Sequence, residues 1–164
     1  MVQDTDFAIA QRIFSVLSGI LFGALLGVGF IVTPTLFNVL DDKQVAGMIA
    51  GEIFKNTSFF SLVVSVFLLI YANLLVKREL NHYKRIRWLL LSSICLTLIG
   101  TFVVQPMMIE LRELALNQGA PVMQSPQAKS FGRLHQLSSA LFTIEVLIYA
   151  LIFWTSTKVC PRNG

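Results

Sequence analysis

Charged residues divide the chain into four long apolar stretches. Nothing between Arg12 and Asp41 carries an ionisable side chain, and the first stretch, about residues 13–36, is expected to close around Pro34. The second lies between Lys55 and Lys77 (about 57–76), the third runs 88–109 between Arg87 and Glu110, and the fourth runs 134–157 between Arg133 and Lys158. A membrane-crossing helix needs roughly 20 apolar residues, so each stretch is long enough to span. Helices of this length in a soluble core would show a polar stripe, whereas these show Ser, Thr and Gly. The pattern predicts an all-α integral membrane four-helix bundle, a single transmembrane domain over residues 1–164.

The connections have patterns of their own. Between Asn38 and Asn56, Asp41 and Gln44 have the spacing of a capping box. Val45, Met48, Ile49, Glu52 and Ile53 then follow at helical spacing, which predicts a short interfacial helix in the first outer loop. From Asn117 to Ser130, Gly119, Pro121 and Pro126 predict an irregular loop. The first stretch is too long for a cleaved leader, is preceded by Asp4 and Asp6, and is not followed by an A-x-A site, so it is expected to remain as a span.

Lys and Arg near span ends are retained in the cytoplasm. Lys77, Arg78, Lys84, Arg85 and Arg87 share the loop between the second and third spans. With that loop inside, both termini are cytoplasmic, and eight basic residues lie inside against five outside. Trp88 and Trp154 then both fall at the inner boundary, where indole rings favour the headgroup layer. The expected location is the inner membrane of a bacterium.

Composition agrees. The chain is 55% hydrophobic and 13% charged, against about 25% charged in soluble domains. Its net charge of +4 does not describe a nucleic-acid binder, because the basic residues sit between apolar runs rather than in one patch. Cys95 lies inside an apolar run and Cys160 in the tail, so two free thiols are expected.

Packing in lipid depends on small residues and interhelical hydrogen bonds. Ser15, Gly19, Gly23 and Gly27 recur at every fourth position and predict a smooth groove, for which Ser93, Thr97 and Thr101 of the third span have matching spacing. A second copy of the chain, or another membrane protein, is the alternative occupant. The lipid bilayer is the partner expected in any case.

Glu145 is the most informative position. Eleven residues separate it from Arg133 and twelve from Lys158, which places it near mid-membrane. A lipid-facing charge at that depth is costly, so Glu145 must face the interior. Ser138, Phe142 and Tyr149 share its face, and Ser65 and Thr97 match its depth on other spans. Two roles are open: a proton-relay or cation-binding carboxylate, and a neutral carboxyl hydrogen-bonded to a neighbouring helix. A second polar cluster is expected at the outer ends of the spans, where Thr33, Gln105 and His135 adjoin Pro34 and Pro106. Met48, Met107, Met108 and Met123 lie on the same side, yet no M-x-M or M-x-x-M spacing arranges them for Cu(I). His82 and His135 are on opposite sides and cannot share a metal or a haem. No metal and no cofactor are expected. The basic inner loop is suited to anionic headgroups as well as to fixing topology. No Gly-rich phosphate loop, nucleophile elbow, HExxH or paired CxxC is present.

The segments GVGFIVTPTLFNVL, AGMIAGEIF, FVVQPMMIELRE and FGRLHQLSSALF together resemble the transmembrane protein 205-like family. Pro34, Leu36 and Phe37 with Ala46 and Gly47, and Leu134 and His135 with Ser138, carry the resemblance. The family pattern has Gly after that His and an Asn further on. Here Gln136 stands first, and Phe142 or Thr143 second. The resemblance implies a four-span domain of unknown function without an agreed enzymatic activity, with a human relative associated with platinum-drug resistance and trafficking. In architecture it is also similar to copper-resistance proteins and to haem-dependent protoporphyrinogen oxidases. The expected function is a non-enzymatic bundle for partner binding or for envelope, metal or drug resistance. The alternatives are a small transport or proton-coupling protein using Glu145, and a haem- or copper-binding redox protein.

Overall fold

The computed structural model describes residues 2–157, with side chains from residue 8 onward. Cys160, Lys158 and Arg162, on which the tail thiol and part of the charge count rest, lie outside the described residues. The helices are α1 (Val2–Leu26), α2 (Thr33–Val39), α3 (Lys43–Lys77), α4 (Tyr83–Ile99), α5 (Gln105–Asn117) and α6 (Ala128–Thr157). Among the described residues there is no strand. Four continuous helical stretches, 8–39, 43–77, 83–117 and 128–157, are long and apolar enough to cross a membrane. Ile31, Val63, Trp88 and Leu147 are exposed on the outside of the bundle. In lipid, that apolar exposure is what a spanning surface requires.

The first and third spans do not stop at their prolines. Gly27–Val32 and Gly100–Val104 are π-helical turns, followed directly by Thr33-Pro34 and Gln105-Pro106. Proline lacks an N–H and its ring collides with the carbonyl four residues back. Widening the preceding turn moves that carbonyl aside. The backbone N–H of Thr33 then donates to Val28 O, and that of Gln105 to Gly100 O, each five residues back. The two spans carry parallel sequences at this point, FIVTP at 30–34 and FVVQP at 102–106. Pro34 therefore sits inside the first span rather than ending it.

The first outer connection differs from expectation in two ways. Residues 43–56 are helical, but they run without a break into the second span as one helix, α3. No proline interrupts the segment, and Thr57 Oγ1 donates to Ile53 O across the junction at 2.8 Å, so the helix simply continues. Its N-cap is Asp42 rather than Asp41: the Asp42 carboxylate accepts from Gln44 N at 2.8 Å and Val45 N at 3.2 Å. Lys43 Nζ reaches back to Phe37 O and Leu40 O at 2.6 and 3.0 Å, closing the end of α2. The second outer connection is irregular, as expected, apart from a single 3₁₀ turn at Val122–Gln124.

In the bundle, α6 packs against α1 on one side and α4 on the other, and α3 packs against α4 and, less extensively, α1. This order sets α3 and α6 diagonally across the centre. The apolar core, with Phe14, Leu21, Leu68, Leu90 and Ile152, lies on the inner faces. Towards the end bearing the basic loop, Phe14 stacks on Tyr71 at 5.8 Å and meets Tyr83 at 5.0 Å.

The expected pairing of the Gly19–Gly23–Gly27 groove with the third span is corrected. A Cβ on Gly19 would meet the ring of Phe153 on α6 at 3.2 Å, while Gly23 and Gly27 have nothing within 4 Å. A large ring from α6 fills the space over Gly19. Ser93 and Thr97 are buried and bonded inside the bundle instead.

Candidate functional site

At mid-bundle, three helices each contribute a pair of polar residues four apart: Ser61 and Ser65 on α3, Ser93 and Thr97 on α4, Glu145 and Tyr149 on α6. That spacing puts both members of a pair on one helical face, and all six are buried. Within a span, buried polar groups must find partners inside the protein, and these find one another. Glu145 Oε1 lies 2.7 Å from Thr97 Oγ1 and 2.9 Å from Ser61 Oγ. Ser61 Oγ also lies 2.8 Å from Tyr149 Oη, which is 2.5 Å from Ser65 Oγ. Ser93 is a further hydrogen-bond partner of Tyr149. Ser65 and Thr97 turn back to the backbone as well, donating to Ser61 O at 2.7 Å and to Ser93 O at 2.9 Å.

The network crosses the bundle diagonal, joining α3 to α6, and picks up α4 on the way. Glu145 is only 6% exposed. Its partners are hydroxyls, with no cation among them.

Of the residues expected around Glu145, Thr97 contacts the carboxyl directly, and Ser65 joins through Tyr149. Ser138 is half-buried and takes no part in the network among the described residues. Ser61 was not anticipated, and Ser93 was expected only as a small residue for helix packing. The signal that identifies them is the i,i+4 partnership with Ser65 and Thr97, residues already placed at the right depth.

The outer residues do not converge. Thr33 Oγ1 donates to Val28 O in its own helix at 2.8 Å, so the carbonyl region opened by the π turn is satisfied locally. Gln105 Nε2 donates to Gly51 O on α3 at 3.0 Å. His135 is exposed and stacks on Phe131 with ring centroids 6.4 Å apart. At the same end of the bundle as Gln105, an open notch of about 370 Å³ is lined by Lys55, Phe102, Gln105, Glu110 and Glu113 among others. Glu145 does not line it. Cys95 is a free, exposed thiol on α4.

In comparison with known proteins, residues 16–117 match the family described as "Domain of unknown function (DUF4149)". That stretch covers the C-terminal part of α1 and all of α2, α3, α4 and α5 but stops short of α6, which carries Glu145 and Tyr149. No curated protein and no solved structure matches the chain.

Proposed function

Starting from a chain that belongs to the DUF4149 family, we propose that it is a non-enzymatic multi-pass membrane protein. In this reading its bundle is fastened at mid-membrane by Glu145, and it works by binding a membrane partner or in envelope, metal or drug resistance. One observation carries the reading: the Glu145 carboxyl is enclosed and held by hydroxyls from two other helices. Bonds of this kind between spanning helices are worth about 0.6–2 kcal/mol each. They suit a fastening better than an acid that must meet substrate. The likeness to the transmembrane protein 205-like family belongs to this proposal, as does placement in a bacterial inner membrane with both termini cytoplasmic. The second placement is supported by the basic loop between α3 and α4.

The hydroxyl chain through Ser61, Tyr149 and Ser65 favours a second reading, a small proton-coupling unit centred on Glu145. Glu145→Gln separates the two. The glutamine amide keeps both an acceptor and a donor, so the first reading expects the variant to insert, fold and retain its resistance phenotype, while Glu145→Ala lowers the melting temperature. A Glu145→Gln protein that folds normally but loses a pH-gradient-dependent flux in proteoliposomes establishes the second reading instead.

A further inference from the structure

The geometry points to Glu145 as a proton-binding site: the carboxyl holds a proton at neutral pH and donates it into one branch of the hydroxyl network while accepting from the other. This rests on the reading of Glu145 as the fastening of the bundle and adds its protonation state and polarity.

The argument is a count of protons. A hydroxyl has one hydrogen to donate, and a backbone carbonyl only accepts. Ser65 donates to Ser61 O, so the Ser65–Tyr149 contact needs its hydrogen from Tyr149. With the Tyr149 hydrogen used there, the Ser61–Tyr149 contact needs its hydrogen from Ser61. The Ser61–Glu145 contact then has none unless Glu145 supplies it. The second branch leads to the same place. Thr97 donates to Ser93 O, and the Thr97–Glu145 contact again needs a hydrogen from the carboxyl.

Both branches end in carbonyls, and the single acid hydrogen of Glu145 completes one of them, leaving the hydroxyl of the other to share its hydrogen. The six contacts share four hydroxyl hydrogens, so an ionised carboxylate leaves two contacts without a hydrogen and a neutral acid leaves one. Ser93, which donates to Leu90 O at 2.9 Å and also partners Tyr149, adds one hydrogen and two contacts, so the difference is unchanged.

An ionised Glu145 would draw Ser61 and Thr97 towards itself. Thr97 would then have to release Ser93 O, or share its hydrogen, in a segment where a freed carbonyl has no water to turn to. The groups facing the carboxyl are Ser61 from α3, Thr97 from α4 and, linked through Ser61, Tyr149 from its own helix. Tyr149 is the one titratable group among them, and it is neutral in its ordinary state, so among the described residues nothing opposite supplies a positive charge to hold a carboxylate.

The test is infrared difference spectroscopy of the intact chain in lipid nanodiscs at neutral pH, wild type against Glu145→Gln. The expected result is the carbonyl stretch of a protonated carboxylic acid in the wild type, absent from Glu145→Gln. In Thr97→Val and Tyr149→Phe, which keep the carboxyl, the band should persist at a shifted frequency. A difference spectrum containing only carboxylate bands overturns the inference. So does a protonated band that stays fixed in both hydroxyl variants, because that proton lies outside this chain. The fastening role fails separately, if Glu145→Ala leaves the melting temperature unchanged.

Discussion

Gly29 and Phe142 are fitted to each other: a Cβ on Gly29 would stand 2.5 Å from Phe142 Cε1. Gly29 lies in the first π turn, and the Phe142 ring is also held by an edge-on contact with Phe54 at 5.0 Å. The ring therefore has little room to retreat. Gly29→Ala is expected to lower stability by about 1–3 kcal/mol, the usual range for overpacking. Gly23→Ala, with open space around it, should be neutral or gain up to about 1 kcal/mol from helix propensity. Thermal unfolding of the two variants in the same detergent checks the contrast, and equal melting temperatures would remove the packing argument.

Two interhelical turns end in the same way but with different residues. Leu80 N donates to Leu75 O at 3.2 Å and Ala120 N to Ala115 O at 3.2 Å, each closing a helix C-terminus with a left-handed residue just before. That residue is Gly119 in one turn, with φ 75°, and Glu79 in the other, with φ 66°. Left-handed backbone costs a residue with a side chain roughly 1–2 kcal/mol, and glycine escapes this. Glu79→Gly is expected to raise stability by up to about 1 kcal/mol and Gly119→Ala to lower it by a similar amount. Chemical or thermal unfolding that moved both variants in one direction would contradict this account.

The four spans were legible because no charged residue other than Glu145 interrupts them, and Glu145 was legible because an acid so far from either boundary has to be buried. The π turns were not legible. Pro34 looks the same in sequence whether it ends a helix or is accommodated by a wider turn, and only the backbone geometry decides between them. The helix pairing was hidden for a related reason. Spacing shows which residues share a face, as with Ser15, Gly19 and Gly23, but the choice between α4 and α6 as neighbour depends on Phe153 filling the space over Gly19. Ser61 was accessible in principle. It lies one helical turn from Ser65, and the i,i+4 pairs on α4 and α6 set it opposite Glu145.

Topology gives a prediction independent of packing. Lys84 stands at the start of the span 83–117 and Met123 in the loop beyond its far end, and both residues are exposed. With Cys95 and Cys160 replaced by Ala, single cysteines introduced by Lys84→Cys and Met123→Cys should react with a membrane-impermeant maleimide from opposite faces of sealed vesicles. The proposed orientation, with the basic loop in the cytoplasm, expects Lys84 to be the residue labelled from the cytoplasmic face. Labelling of both positions from one face would break the four-span arrangement.

Thr97 and Ser61 come from different helices and meet the same oxygen, Glu145 Oε1, at 2.7 and 2.9 Å. Removing either hydroxyl leaves the other in place, so Thr97→Val and Ser61→Ala should each cost about 1 kcal/mol. Removing both leaves Oε1 without either hydroxyl at a depth where no water replaces them, and an unsatisfied buried polar atom carries its full desolvation penalty. The double variant is therefore expected to lose more than the sum of the single ones, by about 0.5 kcal/mol or more. Equilibrium unfolding of the four proteins in mixed micelles measures that coupling. Simple additivity would mean that the two hydroxyls serve α3 and α4 separately and do not act together on Glu145.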